Sequence, residues 1–291
     1  MIIGHQKQWQ FLKSLAERGQ LASAYLFSGQ EKLGKKKLAL EWASFIFQDD
    51  LEKKSHPDFL LVEPMEKEIQ IGQIRDLIWR LSLKPFSAPL KAVVIDQAHL
   101  MNAEAQGAIL KTLEEPKGKS LLVLISEHPE YLFPTIRSRV QTFKFYPVKT
   151  AEIEAYLLKK GISQRAAREI TQISLGRPGL ALDFIKAPQK LKDFLLKRKG
   201  LEKIAASDLA FRFQSAKAFS QDPGELKEML DVWLSYFRGI LLEKVEKPKL
   251  KPFYSFDRLK NILDLIQSTR NLLLTTNANP RLALEILMLE L

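Results

Sequence analysis

The rhythm of apolar and polar positions changes once along this chain, near residue 147. Before that point, short apolar runs alternate with stretches in which apolar residues recur every three or four positions. The runs predict strands at about 24–28, 59–63, 91–96, 120–126 and 141–145, with helices between them. Such alternation argues for an α/β fold, a parallel sheet covered by helices. From Thr150 onward only the helical rhythm persists. Short helices are expected at 150–160, 163–175 and 179–186, and longer ones near 190–204, 208–220, 224–245, 255–274 and 280–290, with Lys247–Pro252 as a loop among them. Within the helix after Gly72, Trp79 and Leu83 read as part of a core-facing stripe. The organisation predicted is three domains, 1–147, 148–187 and 188–291.

Between the first strand and its helix lies Gly29-Gln30-Glu31-Lys32-Leu33-Gly34-Lys35-Lys36. This is the GxxxxGK frame of a phosphate-binding loop, in which backbone N–H groups and a helix N-terminus cradle phosphate and the lysine reaches its outer oxygens. Gly29, Gly34 and Lys35 keep those functions. The position that should carry a Ser or Thr hydroxyl for magnesium is Lys36, and an ammonium has donors but no lone pair for a cation. The run Ala92-Val93-Val94-Ile95 closes on Asp96, which puts a carboxylate at the carboxyl end of a central strand, the Walker B place. Gln97 follows, and its neutral amide cannot accept a proton from an attacking water. Glu114 and Glu115 are adjacent on a helix end before Pro116, so their side chains diverge and do not form an acid–base pair.

Composition narrows the classes. A chain of 291 residues with 46% hydrophobic content can bury more than one core. No apolar run approaches the roughly 20 residues of a membrane span, and no basic-then-apolar leader opens the sequence, so a cytoplasmic protein without membrane partners is expected. There is no cysteine, which removes disulfides, thiol nucleophiles and cysteine zinc sites, and the four histidines have no metal spacing. No metal site is expected. The net charge of +11 divides into +3 for 1–147 and +8 for 148–291, so sequence-independent contact of the basic half with DNA is a secondary expectation. Lys186–Lys203, with Leu191, Phe194, Leu195 and Leu196 interleaved, reads as an amphipathic helix with a solvated basic face.

Taken together, these stretches resemble the AAA+ clamp-loader subunits of bacterial DNA polymerase III. The resemblance is carried by Val94 to Pro116, by Ile3-Gly4-His5-Gln6, by His56-Pro57-Asp58, by Thr135-Ile136-Arg137-Ser138-Arg139-Val140 and by Asn277 to Glu285, in that family's order. It implies a P-loop AAA+ domain, a small helical lid and an all-α collar. The four-cysteine zinc module common in the family is absent, only about Gln48–Ser55 filling its place, so no zinc is expected. Lys36, Gln97 and Gly179, the last standing where hydrolysing members have a sensor arginine, alter three parts of a hydrolysis site at once, which is the delta-prime pattern. Arg177 lies two residues earlier. Ser126 matches the sensor-1 position. The resemblance further implies that Arg139 serves as an arginine finger for a neighbour's nucleotide, and that the partners are gamma/tau and delta subunits in a hetero-pentamer, the sliding clamp and, secondarily, primer-template DNA. Gly29, Gly34, Lys35, Lys36 and Asp96 would form a degenerate nucleotide site, with no cofactor required. Whether that site binds ATP stays open at this stage. So do a hydrolysing gamma/tau-type subunit and a stand-alone nucleic-acid-binding protein.

Overall fold

A computed structural model gives the fold and describes residues 2–51, 54–116, 118–246, 254–275 and 278–291. The expected loop at Lys247–Pro252 and the first residue of the Asn277–Glu285 stretch lie outside the described residues. By their contacts the residues divide into two compact units, 1–161 with 176–180, and 162–175 with 181–291.

The first unit contains α1 (Gln6–Glu17), β1 (Ala24–Ser28), α2 (Lys35–Phe47), β2 (Phe59–Val62), α3 (Ile71–Ser82), β3 (Lys91–Ile95), α4 (Ala103–Glu114), β4 (Ser120–Ser126), the short α5 (Pro134–Arg137), β5 (Gln141–Lys144) and α6 (Thr150–Lys159). The five strands are all parallel, in the order β2-β3-β4-β1-β5. Alternate residues of each strand enter opposite layers. Leu26, Val93, Ile95, Leu122 and Leu124 pack with Ile74 and Leu77 of α3 and Ile109 of α4. Tyr25, Phe27, Val94, Val123 and Ile125 pack on the other face with Leu12 of α1 and Leu38 and Trp42 of α2. The strands β1 to β4 are therefore apolar on both sides, which is why their runs lack a period of two, whereas the edge strand β5 turns only Phe143 toward the core. The Trp42 indole donates to the Leu12 carbonyl at 2.9 Å and so joins α1 to α2.

Helix α3 corrects one expectation. Its buried stripe is Ile74, Leu77 and Leu81, whereas Trp79 is 60% exposed and Leu83 is 45% exposed. The segment after it has no regular structure but is held by Asp58. The buried Asp58 carboxylate accepts from the backbone N–H groups of Phe86, Ser87 and Ala88 at 2.8–3.0 Å and pairs with Lys91 at 3.4 Å. Burial alone would raise its pKa, but those N–H groups and Lys91 overcome it and bring the value down to about 2. Phe86 itself faces outward, 85% exposed.

The second unit is helical: α7 (Gln164–Ser174), most of α8 (Pro178–Lys186), α9 (Pro188–Ala205), α10 (Leu209–Phe219), α11 (Pro223–Glu246), α12 (Phe256–Thr275) and α13 (Pro280–Glu290). Trp233 and Phe237 of α11, Ile262 and Ile266 of α12, and Leu284 and Leu287 of α13 centre its core. Arg212 donates to the carbonyls of Ala205 at 2.7 Å, Ser207 at 3.1 Å and Met288 at 3.1 Å, which satisfies the end of α9 and ties it to α13. Asn279 caps α13, accepting from the N–H groups of Arg281 and Leu282, with Pro280 at the first helical position.

Candidate functional site

The phosphate-type loop runs from the end of β1 into α2, as its residues require. At Gly29 the backbone has φ 146°, and a Cβ there would overlap the Phe145 carbonyl, so glycine is needed before any ligand is considered. Its N–H donates to the Ser126 carbonyl at 3.1 Å and ties the loop to the end of β4. Gly34, with φ 95°, precedes α2, and its carbonyl accepts the first helical bond from Leu38 at 2.9 Å. His5, just before α1, joins its Nε2 to the Leu33 carbonyl at 3.1 Å.

Lys35 opens α2 and folds back over the loop. Its Nζ donates to the carbonyls of Gly29 at 2.5 Å and Gln30 at 2.6 Å, and the residue is buried. Desolvation lowers its pKa to about 8 against the raising pull of Glu127, Asp96 and Glu31. Lys36, one position on, points differently. Its Nζ lies 2.5 Å from Glu63 Oε1 and 3.3 Å from Asp96 Oδ2. Partial burial works against its charge, but the hydrogen bond to Glu63 and the field of Asp96 outweigh that, and its pKa is raised. Lys37 pairs with Glu41 at 3.6 Å, one helical turn along.

Asp96 stands at the carboxyl edge of the sheet, as expected, and its own Oδ1 accepts the Gln97 N–H at 3.0 Å. Gln97 is in the left-handed region with φ 52° and precedes a 3-10 turn at Ala98–Leu100. The buried Ser126 uses its Oγ to accept the His128 N–H at 3.1 Å. Gly179, in the first turn of α8, donates its N–H to the Lys32 carbonyl at 2.8 Å. A Cβ at that position would stand 2.9 Å from the same oxygen. Position 179, expected from the resemblance to lack a sensor arginine, is instead in close backbone contact with the loop.

Arg139 follows α5, away from these loop contacts. Its Nη2 pairs with Glu114 Oε1 at 2.7 Å, and its Nη1 donates to the Thr135 carbonyl at 2.8 Å and to Ser138 Oγ at 3.4 Å. The guanidinium side chain is 35% exposed. Glu114 thus has a defined partner in Arg139.

Reading the residues alone missed Glu63 and Glu127. A signal for both was present. β2 is followed directly by Glu63, β3 by Asp96 and β4 by Glu127, so three strands place a carboxylate immediately past their carboxyl ends. The structure brings Gly29, Gly34, Lys35, Lys36 and Asp96 together around one loop and leaves Arg139 in a separate cluster. The frame fits a phosphate chain, but position 36 does not fit a magnesium ion, because an ammonium stands on the Asp96 oxygen. Among the described residues, no three His, Cys, Asp or Glu side chains are spaced to hold a metal ion, and no helix is long and apolar enough to cross a membrane.

The family described as DNA polymerase III, delta subunit, matches residues 4–149, half of the chain and the part holding both the loop and Arg139. The DNA polymerase III subunit delta' of Pseudomonas aeruginosa is 37% identical over 142 residues, covering 43% of this chain and 43% of its own. The delta' subunit of Bacillus subtilis is 33% identical over 172 residues, covering 54% of this chain and 52% of its own. The chain spans about half the length of these curated relatives. The tau subunit of Bacillus subtilis is 22% identical across the whole chain and 60% of its own length. Among solved structures, a gamma subunit-related protein of Thermotoga maritima superposes with a TM-score of 0.51 at 19% identity, covering 97% of both chains. A RuvB variant of Thermotoga maritima does so with a TM-score of 0.51 at 17% identity, covering 90% of this chain and 83% of its own. At those identities the likeness is one of fold, and it is the expected AAA+ architecture of parallel sheet followed by helices. A glycine loop feeding α2, an aspartate closing the central β3, the arginine after α5 and the match across residues 4–149 fall in one register, and on that agreement the chain belongs to the DNA polymerase III delta-subunit family.

Proposed function

We propose that this chain is a delta-prime-type subunit of the DNA polymerase III clamp loader, which does not hydrolyse ATP itself and supplies Arg139 to a nucleotide held by a neighbouring subunit. In this reading the protein joins gamma/tau and delta subunits in a hetero-pentamer that places a sliding clamp on primed DNA, with DNA contact by this chain secondary. Residues 188–291 serve as the collar, after a lid at 148–187.

The observation that carries the reading is Lys36 on Asp96 and Glu63. Phosphoryl transfer depends on positioning and charge neutralisation, with a metal ion bridging the phosphates. Here the metal ligand is an ammonium, the base position is Gln97, and position 179 has no room for a sensor side chain without displacing Lys32. Arg139 suits the trans role chemically, because a planar and always charged guanidinium matches the spread charge of a transferring phosphoryl group. Its bond to Glu114 does not oppose that role. A half-exposed pair of this kind contributes about 1 kcal/mol or less, whereas arginine fingers contribute roughly 10³ to 10⁵ in rate, equivalent to about 4–7 kcal/mol. In the transition state, exchanging Glu114 for the transferring phosphoryl group is therefore downhill.

The test is the ATPase rate of a reconstituted gamma/tau-containing loader with clamp and primed DNA, using wild-type chain or Arg139→Ala. A silent isolated chain together with a fall in the assembly rate on losing Arg139 supports the proposal. Turnover by the isolated chain would instead favour the gamma/tau-type reading, which draws on the full-length similarity to tau.

A further inference from the structure

Strands β2 and β3 pair in parallel with Val62 opposite Ile95, and the Asp96 N–H continues the ladder to the Val62 carbonyl at 2.9 Å. The next residue of each strand, Glu63 and Asp96, is therefore set beside the other at the carboxyl edge of the sheet. Two carboxylates placed so need a cation between them. In this chain the second residue of α2 supplies it, with Nζ 2.5 Å from Glu63 and 3.3 Å from Asp96.

We propose that the Lys36 ammonium is a resident cation that occupies, between Glu63 and Asp96, the space a magnesium ion would need, and that it closes this loop to divalent metals. Magnesium requires oxygen ligands at about 2.1 Å in near-octahedral order. Along the 3.3 Å line from Asp96 Oδ2 to Nζ there is no room for both an ion at that distance and the ammonium. Charge favours the same conclusion. With Lys36 in place the trio carries a net charge of −1, and the remaining attraction for a divalent ion is small. Without it the pair carries −2 and becomes a good divalent site. The ammonium stays charged at any ordinary pH, since its pKa is raised. Tethering also makes the cation permanent, because it arrives with the first turn of α2 and cannot diffuse away. The inference rests on the same Lys36 contacts that support the proposed function, and it holds whether or not Arg139 acts in trans.

The test uses the full chain and the metal alone. Mn²⁺ binding is followed by electron paramagnetic resonance, and melting temperature is followed in millimolar MgCl₂ against NaCl of equal ionic strength. Wild type and Lys36→Arg are expected to bind no Mn²⁺ and to melt at the same temperature in both salts. Lys36→Met, which keeps the alkyl stem, is expected to melt lower in NaCl, to recover in MgCl₂ and to bind one Mn²⁺. Wild-type Mn²⁺ binding as tight as that of Lys36→Met would overturn the proposal, as would a Lys36→Met protein that gains neither response. If Lys36→Met does not fold, wild type decides: Mn²⁺ binding that Asp96→Asn or Glu63→Gln abolishes overturns the proposal, and its absence supports it. No ATPase rate enters these readouts, so failure here withdraws the metal argument at position 36, while the ATPase comparison of wild type with Arg139→Ala decides the proposed function separately.

Discussion

Gly179→Ala is the most discriminating single substitution in the first unit, because two effects compete with opposite sign and only the close packing makes the loss the larger. The new Cβ would stand 2.9 Å from the Lys32 carbonyl oxygen and 3.2 Å from its Cα, both backbone atoms that cannot swing aside. Relieving that contact moves the first turn of α8 off the loop and breaks the 2.8 Å bond from the Gly179 N–H to Lys32. A lost hydrogen bond of this kind costs about 1 kcal/mol net, and overpacking adds about 1–3 kcal/mol. Against this, alanine is a better helix former than glycine by up to about 1 kcal/mol. The balance is a loss of about 1–3 kcal/mol, measurable as a lower midpoint in urea unfolding followed by circular dichroism. Without the close approach, the propensity term alone would make the variant more stable. A Gly179→Ala protein equal to or more stable than wild type would therefore refute the packing described here. Gly179→Arg, which installs the sensor arginine that the resemblance implies for hydrolysing members, meets the same obstacle at its first carbon. It is expected to be destabilised similarly and to gain no ATP turnover while Lys36 and Gln97 remain.

Asp58→Ala leaves Lys91 buried without its carboxylate and three backbone N–H groups without their acceptor, and should cost about 3–5 kcal/mol in urea unfolding at pH 7. The Asp58 pKa is depressed to about 2 in the folded chain, so its contribution is full above the ordinary carboxylate value and falls away between pH 4 and 2; acid titration of wild type against Asp58→Ala should show a stability gap narrowing by about 1–2 kcal/mol over that window. Lys35 has the opposite consequence: its folded pKa of about 8 lies below the unfolded value, so its charge opposes folding fully below pH 8 and ceases to do so above 10.5. Lys35→Met should therefore be more stable than wild type at pH 7, by about 1–3 kcal/mol, with the difference shrinking across pH 8 to 10.5 in parallel denaturation curves. Glu114→Gln removes only a partly exposed ion pair and should change unfolding free energy by less than about 1 kcal/mol, while leaving the Arg139-dependent ATPase rate of a reconstituted loader intact.

The inner strands were legible in the chain because each is apolar on both faces, so Ala24–Ser28 and Lys91–Ile95 announce themselves without any knowledge of their neighbours. The helix after Gly72 was harder. Both Ile74-Leu77-Leu81 and the set containing Trp79 and Leu83 have helical spacing, which by itself does not choose between them, and only the first set faces the sheet. Around the loop, the residue types at 29, 34, 35, 36 and 96 were evident from local spacing. Their interactions were not. That Lys36 reaches Glu63 depends on β2 lying next to β3, a relation between residues 27 positions apart, and Arg139 finds Glu114 only because α4 and α5 pack together. The glycine at 179 read as a missing arginine, whereas its contact with Lys32 requires the path of α8.

The Asp58 clamp gives the segment after α3 a property its irregular backbone conceals. Three successive N–H groups are held by one inward carboxylate, so the peptide planes carrying Phe86 are already immobilised while its ring stands in water. A flexible loop must surrender backbone freedom, about 1–2 kcal/mol per residue, when it meets another surface. This one has made that surrender during folding. An aromatic contact through Phe86 would thus be spared the cost of ordering its backbone, in the manner of a side chain mounted on a helix.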